Sequence, residues 1–275
     1  MEANSAPQSR SIQGLMMAVA IWGIVLVSVA FFFKWGMPEL ASDRRGLDSL
    51  YYAILGITGV AYIVIQLLLG YYIWKYADRP GAERVYWHDS HKMEVGWTVG
   101  TAAILIPIVM IGLRLWSEVY SPPPPDAVEV EVVGAQFQWD MRYPGPDGVL
   151  GRVRPELISF ETPLGIDPDD PASADDRCLT NQLALPVDKP AVLHLRSKDM
   201  QHSFFLPQHR VKQDLQAGMA IQTWFVPTVV GEYEIACAEL CGLGHYRMRA
   251  FLTVMEQDEY ENWLVEQQET LPACR

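Results

Sequence analysis

The sequence predicts a membrane-anchored all-β protein: N-terminal transmembrane helices followed by a Greek-key β-sandwich. Three observations carry this expectation. Three uncharged apolar runs lie within the first 116 residues. The polyproline stretch Ser121-Pro-Pro-Pro-Pro-Asp126 comes next. Beyond it the hydrophobic period changes to two, and short β-branched and aromatic runs alternate with Gly- and Pro-rich turns.

Residues 1–13 are polar and expected to be mobile. Gly14–Phe33 is an uncharged run of twenty residues, long enough to cross a bilayer at about 1.5 Å per residue. The rival is a cleaved signal peptide. Cleavage at the small-residue site Ser28-Val29-Ala30 would leave three phenylalanines at the new terminus, and the run is long for a signal core, so a retained span is expected. The second run, 50–74, carries Tyr51 and Tyr52 at one end and Tyr71, Tyr72 and Trp74 at the other, as interfacial aromatic belts do. The third, 95–113, within an expected helix at about 95–116, has Trp97 and Trp116 near its edges and Pro107 inside, where a kink is expected. Lys75, Arg79, Arg84 and Lys92 between the second and third runs favour the inner side. That puts residue 1 inside and the β-domain outside, although Lys34, Arg44 and Arg45 in the first loop count against it.

The expected organisation is a transmembrane region at 1–116, a Pro-rich connector at 117–126, a β-domain at 127–255 and a terminal helix with tail at 256–275. Polyproline is stiff and extended, so the connector holds the next domain off the membrane. Val128-Glu-Val-Glu-Val-Val133 alternates as a strand does. Further strands are predicted at 137–143, 191–196, 221–226, 233–236 and 249–254. Tyr260, Trp263 and Leu264 share one face of the terminal helix.

Half of the residues are hydrophobic, yet the net charge is −12. The acidity lies after the apolar runs, where residues 117–275 hold 12 basic and 25 acidic side chains, a net −13. Such a surface disfavours nucleic acid, which demands a basic face, and suits a basic protein partner. The acidic loop Asp167, Asp169, Asp170, Asp175 and Asp176 does not have EF-hand spacing. Solvation is its default reading; docking of a basic donor, shared with Asp199, is the second.

The chemistry concentrates in Cys237-Ala-Glu-Leu-Cys241-Gly-Leu-Gly-His245-Tyr-Arg-Met248. Two thiols, an imidazole and a thioether within twelve residues form a soft donor set that suits copper. A zinc site is disfavoured because no second Cys or His pair accompanies Cys-x3-Cys-x3-His. Two thiolates could bridge two copper ions, and each ion then needs its own imidazole. A copper-binding Greek-key sandwich is a cupredoxin-like one. Of the other cysteines, Cys178 and Cys274, the sequence leaves a disulfide and two free thiols equally open.

This run resembles the dinuclear copper (CuA) loop of cytochrome c oxidase subunit II. Asp199-Met-Gln-His202-Ser-Phe-Phe-Leu-Pro207 is similar to that family's first-histidine segment, and Val211-Lys-Gln-Asp214 with Gly218-Met219 continues the likeness. The resemblance implies that Cys237 and Cys241 bridge the coppers and that His202 and His245 are terminal ligands. It makes Met248 a weak axial ligand to one copper and the Glu239 carbonyl a ligand to the other. It directs the Glu239 carboxylate to a magnesium or manganese ion shared with subunit I, and matches Glu94 to the mouth of a proton path. The implied partners are subunit I, subunit III, a c-type cytochrome and membrane lipid, in a bacterial-type inner membrane with the copper domain on the periplasmic face. The implied activity is that of the subunit through which electrons enter a proton-pumping cytochrome c oxidase, with oxygen chemistry on subunit I.

The sequence departs from the family in two places. Most members have two spans, so the first run is extra. Where electrons enter, the family carries an exposed Trp, another aromatic and a second Trp. Here the segment reads Phe137-Gln138-Trp139, which questions a standard soluble cytochrome c as donor. A nitric oxide reductase-type enzyme would use a similar port. A quinol oxidase subunit lacks these ligands, and a copper-delivery protein would hold copper without electron-transfer duty.

Overall fold

The computed structural model describes residues 12–34, 36–78, 83, 86–159, 162–270 and 274. Arg79, Arg84 and residues 1–11, on which parts of the sequence reading rest, lie outside them. The chain divides into two compact units, Met1–Met37 with Asp48–Leu113, and Pro38–Leu47 with Arg114–Arg275.

The first unit is helical. Helices α1 (Ile12–Lys34), α2 (Arg45–Lys75) and α3 (His91–Val119) are long and apolar enough to cross a membrane. Their large apolar side chains point outward around most of the circumference, as in helices that face an apolar medium. Helix α3 continues through Pro107. Helices α1 and α2 pack through small residues and two polar contacts. Trp22 Nε1 donates to the Leu67 carbonyl at 3.3 Å, and the Ser28 and Tyr62 hydroxyls lie 3.2 Å apart. Gly70 makes room for the Trp22 indole, since a Cβ there would sit 2.4 Å from Nε1.

The second unit is a sandwich of two five-stranded sheets. One has the order β3 (Arg177–Thr180), β2 (Gln138–Tyr143), β1 (Val128–Ala135), β5 (Ala191–Ser197), β8 (Ala220–Phe225). The other runs β4 (Gln182–Pro186), β10 (Arg249–Met255), β9 (Gly231–Cys237), β6 (His202–Leu206), β7 (Val211–Leu215). The β1–β5 and β10–β4 pairs are parallel and the remainder antiparallel. Between the sheets, Trp139, Met141, Leu193, Leu195, Phe204 and Leu206 are wholly buried. Each Leu or Phe so buried contributes about 1.5–3 kcal/mol. Helix α4 (Gln257–Thr270) lays Trp263 edge-on against Tyr143, ring centroids 5.3 Å apart.

Strands β3, β4, β6 and β7 are additional to the sequence reading. Strand β6, His202-Ser-Phe-Phe-Leu206, lacks alternation because four of its five residues are buried. A short continuous apolar run carries no period to read.

Glu131, on the outer side of β1, is buried as well. Its carboxylate accepts from Arg142 Nε at 2.7 Å and Arg196 Nε at 2.5 Å, while Arg142 also donates to Asp176 at 2.7 Å and to the Gly151 carbonyl at 2.8 Å. Burial opposes the Glu131 charge, but the two guanidiniums hold its pKa below the usual range. Burial of Asp176 instead raises its carboxyl. This network fastens the segment carrying the aspartates onto the sheet. Of the expected docking residues, Asp167 is buried and Asp170 half-buried. Asp167 is wholly buried and accepts from Arg152 and Arg154. Asp170 caps a 3-10 turn through Ala172 N. Asp169 keeps an exposed carboxylate, 3.7 Å from Arg154.

Cys178 and Cys274 form a disulfide, which ties the tail after α4 to strand β3. The segment Pro38–Leu47 also lies on this unit. Ala41 N donates to the Gln208 carbonyl, Thr228 N donates to the Ala41 carbonyl, and Arg44 sits over the Trp224 ring at 5.2 Å.

Candidate metal centre

The site forms where two strands of the second sheet meet. His202 opens β6 and Cys237 closes β9, and these strands pair antiparallel with Phe204 opposite Cys237. The twelve-residue loop then leaves β9 and returns as β10. Cys237 N donates to the Met248 carbonyl at 3.1 Å, so the loop's two ends are joined. Ala238 N donates to the Ser203 carbonyl, which fastens the loop to β6. Inside it, His245 begins a one-turn 3-10 helix, His245–Arg247. Gly244 lets the turn lie against Phe137, since a Cβ there would meet that ring at 2.4 Å.

The donors fall into two groups about one sulfur pair. Cys237 Sγ and Cys241 Sγ are 3.9 Å apart. Around Cys237 Sγ stand His202 Nδ1 at 3.9 Å and the Glu239 carbonyl oxygen at 3.2 Å. Around Cys241 Sγ stand His245 Nδ1 at 3.6 Å and Met248 Sδ at 3.6 Å. Donors of one ion with bonds of about 2.0–2.3 Å lie at such separations. The two groups match two ions sharing two sulfurs, and the softness of the set suits copper. His202, Cys237 and Cys241 are buried, with donor atoms within 4.8 Å of one another.

Electrostatics favours one thiolate in the metal-free pocket. Burial opposes ionisation of Cys237, but the His202 ring and backbone groups of Ser203 and Glu239 outweigh it, bringing the thiol down to about 6. Burial and the neighbouring Cys237 charge push Cys241 up to about 11. A second thiolate therefore needs added cationic charge. Burial alone would lower the His202 pKa, yet its contacts with Cys237 and Asp199 raise it.

Residues outside the ligand group position it. Asp199 Oδ1 lies 2.8 Å from His202 Nε2, and Asp199 Oδ2 accepts from Gln136 N at 2.8 Å. Gln136 Nε2 donates to the Cys241 carbonyl and to Met200 Sδ. Asp199, expected at a docking surface, thus spends its carboxylate on orienting His202. Gln136 was not legible as a site residue; its only signal is its place beside Phe137.

Phe137 is half-buried between the loop and solvent, in the β1–β2 turn rather than in a strand. Trp139 is wholly buried, 6.1 Å from the His202 ring, and so does not reach a docking partner directly. Glu94 lies in the first turn of α3, in the other unit, 3.8 Å from His91. His194 lies 3.3 Å from Glu129. His209 is buried against Phe225 and Tyr233, with neither ring nitrogen hydrogen-bonded.

Residues 128–255 match the family described as cytochrome c oxidase subunit II, periplasmic domain. The chain is 36% identical over 263 residues to the alternative cytochrome c oxidase subunit 2 of Bradyrhizobium diazoefficiens, covering 93% of each. It is 27% identical over 245 residues to cytochrome c oxidase subunit 2 of Cereibacter sphaeroides, covering 84% of this chain and 78% of that one. Among solved structures, the periplasmic domain of subunit II of cytochrome oxidase of Bradyrhizobium japonicum aligns with a TM-score of 0.41 and 25% identity, over 55% of this chain and 99% of that one. With a relative this similar along nearly its whole length, and a paired Cys/His cluster of the kind the family's copper requires, the chain belongs to the cytochrome c oxidase subunit II family, a component of the oxidase.

Proposed function

We propose that this chain accepts electrons from a c-type cytochrome and passes them to haem in subunit I of a proton-pumping oxidase, where oxygen is reduced to water. The observation that carries the reading is the grouping of six donors about the Cys237–Cys241 sulfur pair. Cys237, Cys241, His202, His245, Met248 and the Glu239 carbonyl are the residues that would hold the metal. A dinuclear copper held there supplies one-electron transfer with the charge change spread over two metals and two thiolates. The protein's part is to keep the donors in place, through the Met248–Cys237 and Ala238–Ser203 backbone bonds and the Asp199–His202 pair. All six donors serve the metals, so substrate chemistry belongs to the partner subunit.

Phe137 is the electron-receiving contact, with Trp139 behind it against His202. The half-buried Glu239 carboxylate would hold the magnesium or manganese ion shared with subunit I. Glu94 stands at the mouth of a proton path, and subunit III completes the assembly. The chain crosses the inner membrane three times, with residue 1 inside and the β-domain in the periplasm. The Cys178–Cys274 disulfide supports that side, because disulfides persist in oxidising compartments. Pro38–Leu47 docks on the β-domain with Arg44 over the Trp224 ring, which supports placing this segment on the same side as that domain despite its charge.

Anaerobic stopped-flow reduction of the assembled oxidase by a c-type cytochrome tests the reading. Wild type takes up electrons rapidly, and Phe137→Ala slows uptake with copper retained. Unchanged uptake in Cys237→Ser/Cys241→Ser would contradict it.

A further inference from the structure

The outer face of the sheet that contains β1 and β5 carries a cavity that the metal centre does not use. Strand register assembles its floor. Glu131 stands opposite Arg142 of β2 on one side and His194 of β5 on the other, and Arg196 lies two residues further along β5. The segment after β2 folds back over these side chains and walls a cavity of about 630 Å3 with Val149, Val153, Pro155 and Ile158. Met219 and Ala220, where β8 begins, close another side. Gly151 holds the wall in place. Its carbonyl accepts from Arg142 Nη1 at 2.8 Å, and its N–H donates to Asp176 at 3.1 Å.

The floor has more donors than acceptors. Both Glu131 oxygens are taken, Oε2 by Arg142 Nε and Oε1 by Arg196 Nε. Arg142 Nη1 serves Asp176 and Gly151, and Arg196 Nη2 serves the Leu164 carbonyl at 3.3 Å. Among the described residues nothing accepts from Arg142 Nη2 or Arg196 Nη1. Both arginines line the cavity, with only 2% and 15% of their side chains exposed. Glu129, the other carboxylate in the lining, lies 3.3 Å from His194. A cation therefore finds no free carboxylate on the floor, whereas an anion finds two guanidiniums already oriented by Glu131. The planar fork of arginine matches a carboxylate, and a fork held in place beforehand loses little freedom on binding.

We infer that this cavity binds a small organic carboxylate with an apolar body, the carboxylate held by Arg142 and Arg196 and the body lying against Val149, Val153, Ile158 and Met219. Val149 and Met219 are each 55% exposed and give the cavity an apolar mouth. Apolar walls around a few fixed polar groups, at a volume between about 300 and 1,000 Å3, are the usual form of a small-molecule site. The copper donors lie on β6, on β9 and in the loop after β9, and both strands belong to the other sheet. Occupancy of the cavity is therefore independent of the metal-centre reading.

The test is equilibrium dialysis of radiolabelled hexanoate against the purified oxidase. Hexan-1-ol serves as the uncharged counterpart, and inorganic phosphate as an anion without an apolar body. Saturable uptake of hexanoate, stoichiometric with the chain, is expected. Arg196→Gln should weaken it about tenfold or more, as loss of a charged hydrogen-bond donor does. Ala220→Trp fills the cavity from β8 without replacing either arginine and should abolish uptake. Copper content at the wild-type level shows that each variant is folded, and Ala220→Trp decides the matter if Arg196→Gln does not accumulate. No saturable uptake by the wild type would overturn the inference. So would equal uptake by the wild type and Ala220→Trp, which would place the ligand elsewhere. Hexan-1-ol bound as tightly as hexanoate would leave the arginines without a part, and phosphate bound as tightly would leave the apolar walls without one; either result overturns the inference as well.

Discussion

Asp199 Oδ1 sits 2.8 Å from His202 Nε2, and this contact turns the other ring nitrogen, Nδ1, toward the Cys237 sulfur. A carboxylate behind a ligand histidine fixes its tautomer and raises its basicity. Asp199→Asn keeps the shape and removes the charge. Copper affinity, read by competition with a chelator, is expected to fall about 10–100-fold, with the far-UV circular dichroism unchanged. An unaltered affinity would mean that His202 is oriented by other contacts.

The thiol pair gives a pH signature in the metal-free chain. Thiolate absorbance near 240 nm should rise in two steps, one near pH 6 for Cys237 and one near 11 for Cys241. Copper uptake releases protons, so it should weaken as pH falls through about 6. Cys237→Ser removes the charge that holds Cys241 up and should draw the remaining step downward. A single step at the ordinary thiol value would show that the two sulfurs do not interact.

His209 makes the fold acid-sensitive. Burial lowers its pKa from 6.5 to about 4. Between those values the unfolded chain binds a proton that the folded chain refuses, so stability falls as pH drops, by about 3 kcal/mol across the window. His209→Phe removes two buried nitrogens without partners and keeps the ring contacts with Phe225 and Tyr233. Its stability against urea should be flatter than wild type between pH 6.5 and 4. The same slope in both proteins would place the acid sensitivity elsewhere.

The Cys178–Cys274 disulfide closes a segment of 96 residues. Cys274→Ser should cost about 2–4 kcal/mol and expose the contact between Trp263 and Tyr143, seen as lower unfolding midpoints and faster proteolysis after α4. Copper content should hold, because the tail is fastened to β3 and the copper loop joins β9 to β10. A matching loss of copper would show that the tail supports the metal loop.

Much of this was legible before the fold. Soft ligands close in sequence report a metal directly, and the apolar runs are long enough to declare helices. The resemblance names His202, and the pairing of β6 with β9 brings it to Cys237, thirty-five residues away in sequence. Strand β6 hides because burial on both sides removes alternation. The acidic loop misleads because sequence shows charge without its partners. Arg142, Arg152 and Arg154 take up the carboxylates of Asp176 and Asp167 and bury them. Asp199 lies at the surface, as read, and its carboxylate also supports His202. The same blindness hides Gln136, whose role depends on a loop a hundred residues downstream.

The most direct test of the central claim is metal analysis with electron paramagnetic resonance on the full-length chain in its purified oxidase. Two coppers per chain sharing one unpaired electron, with a seven-line hyperfine pattern, is the predicted result. One copper per chain with four hyperfine lines would contradict it, because the six donors would then surround a single ion.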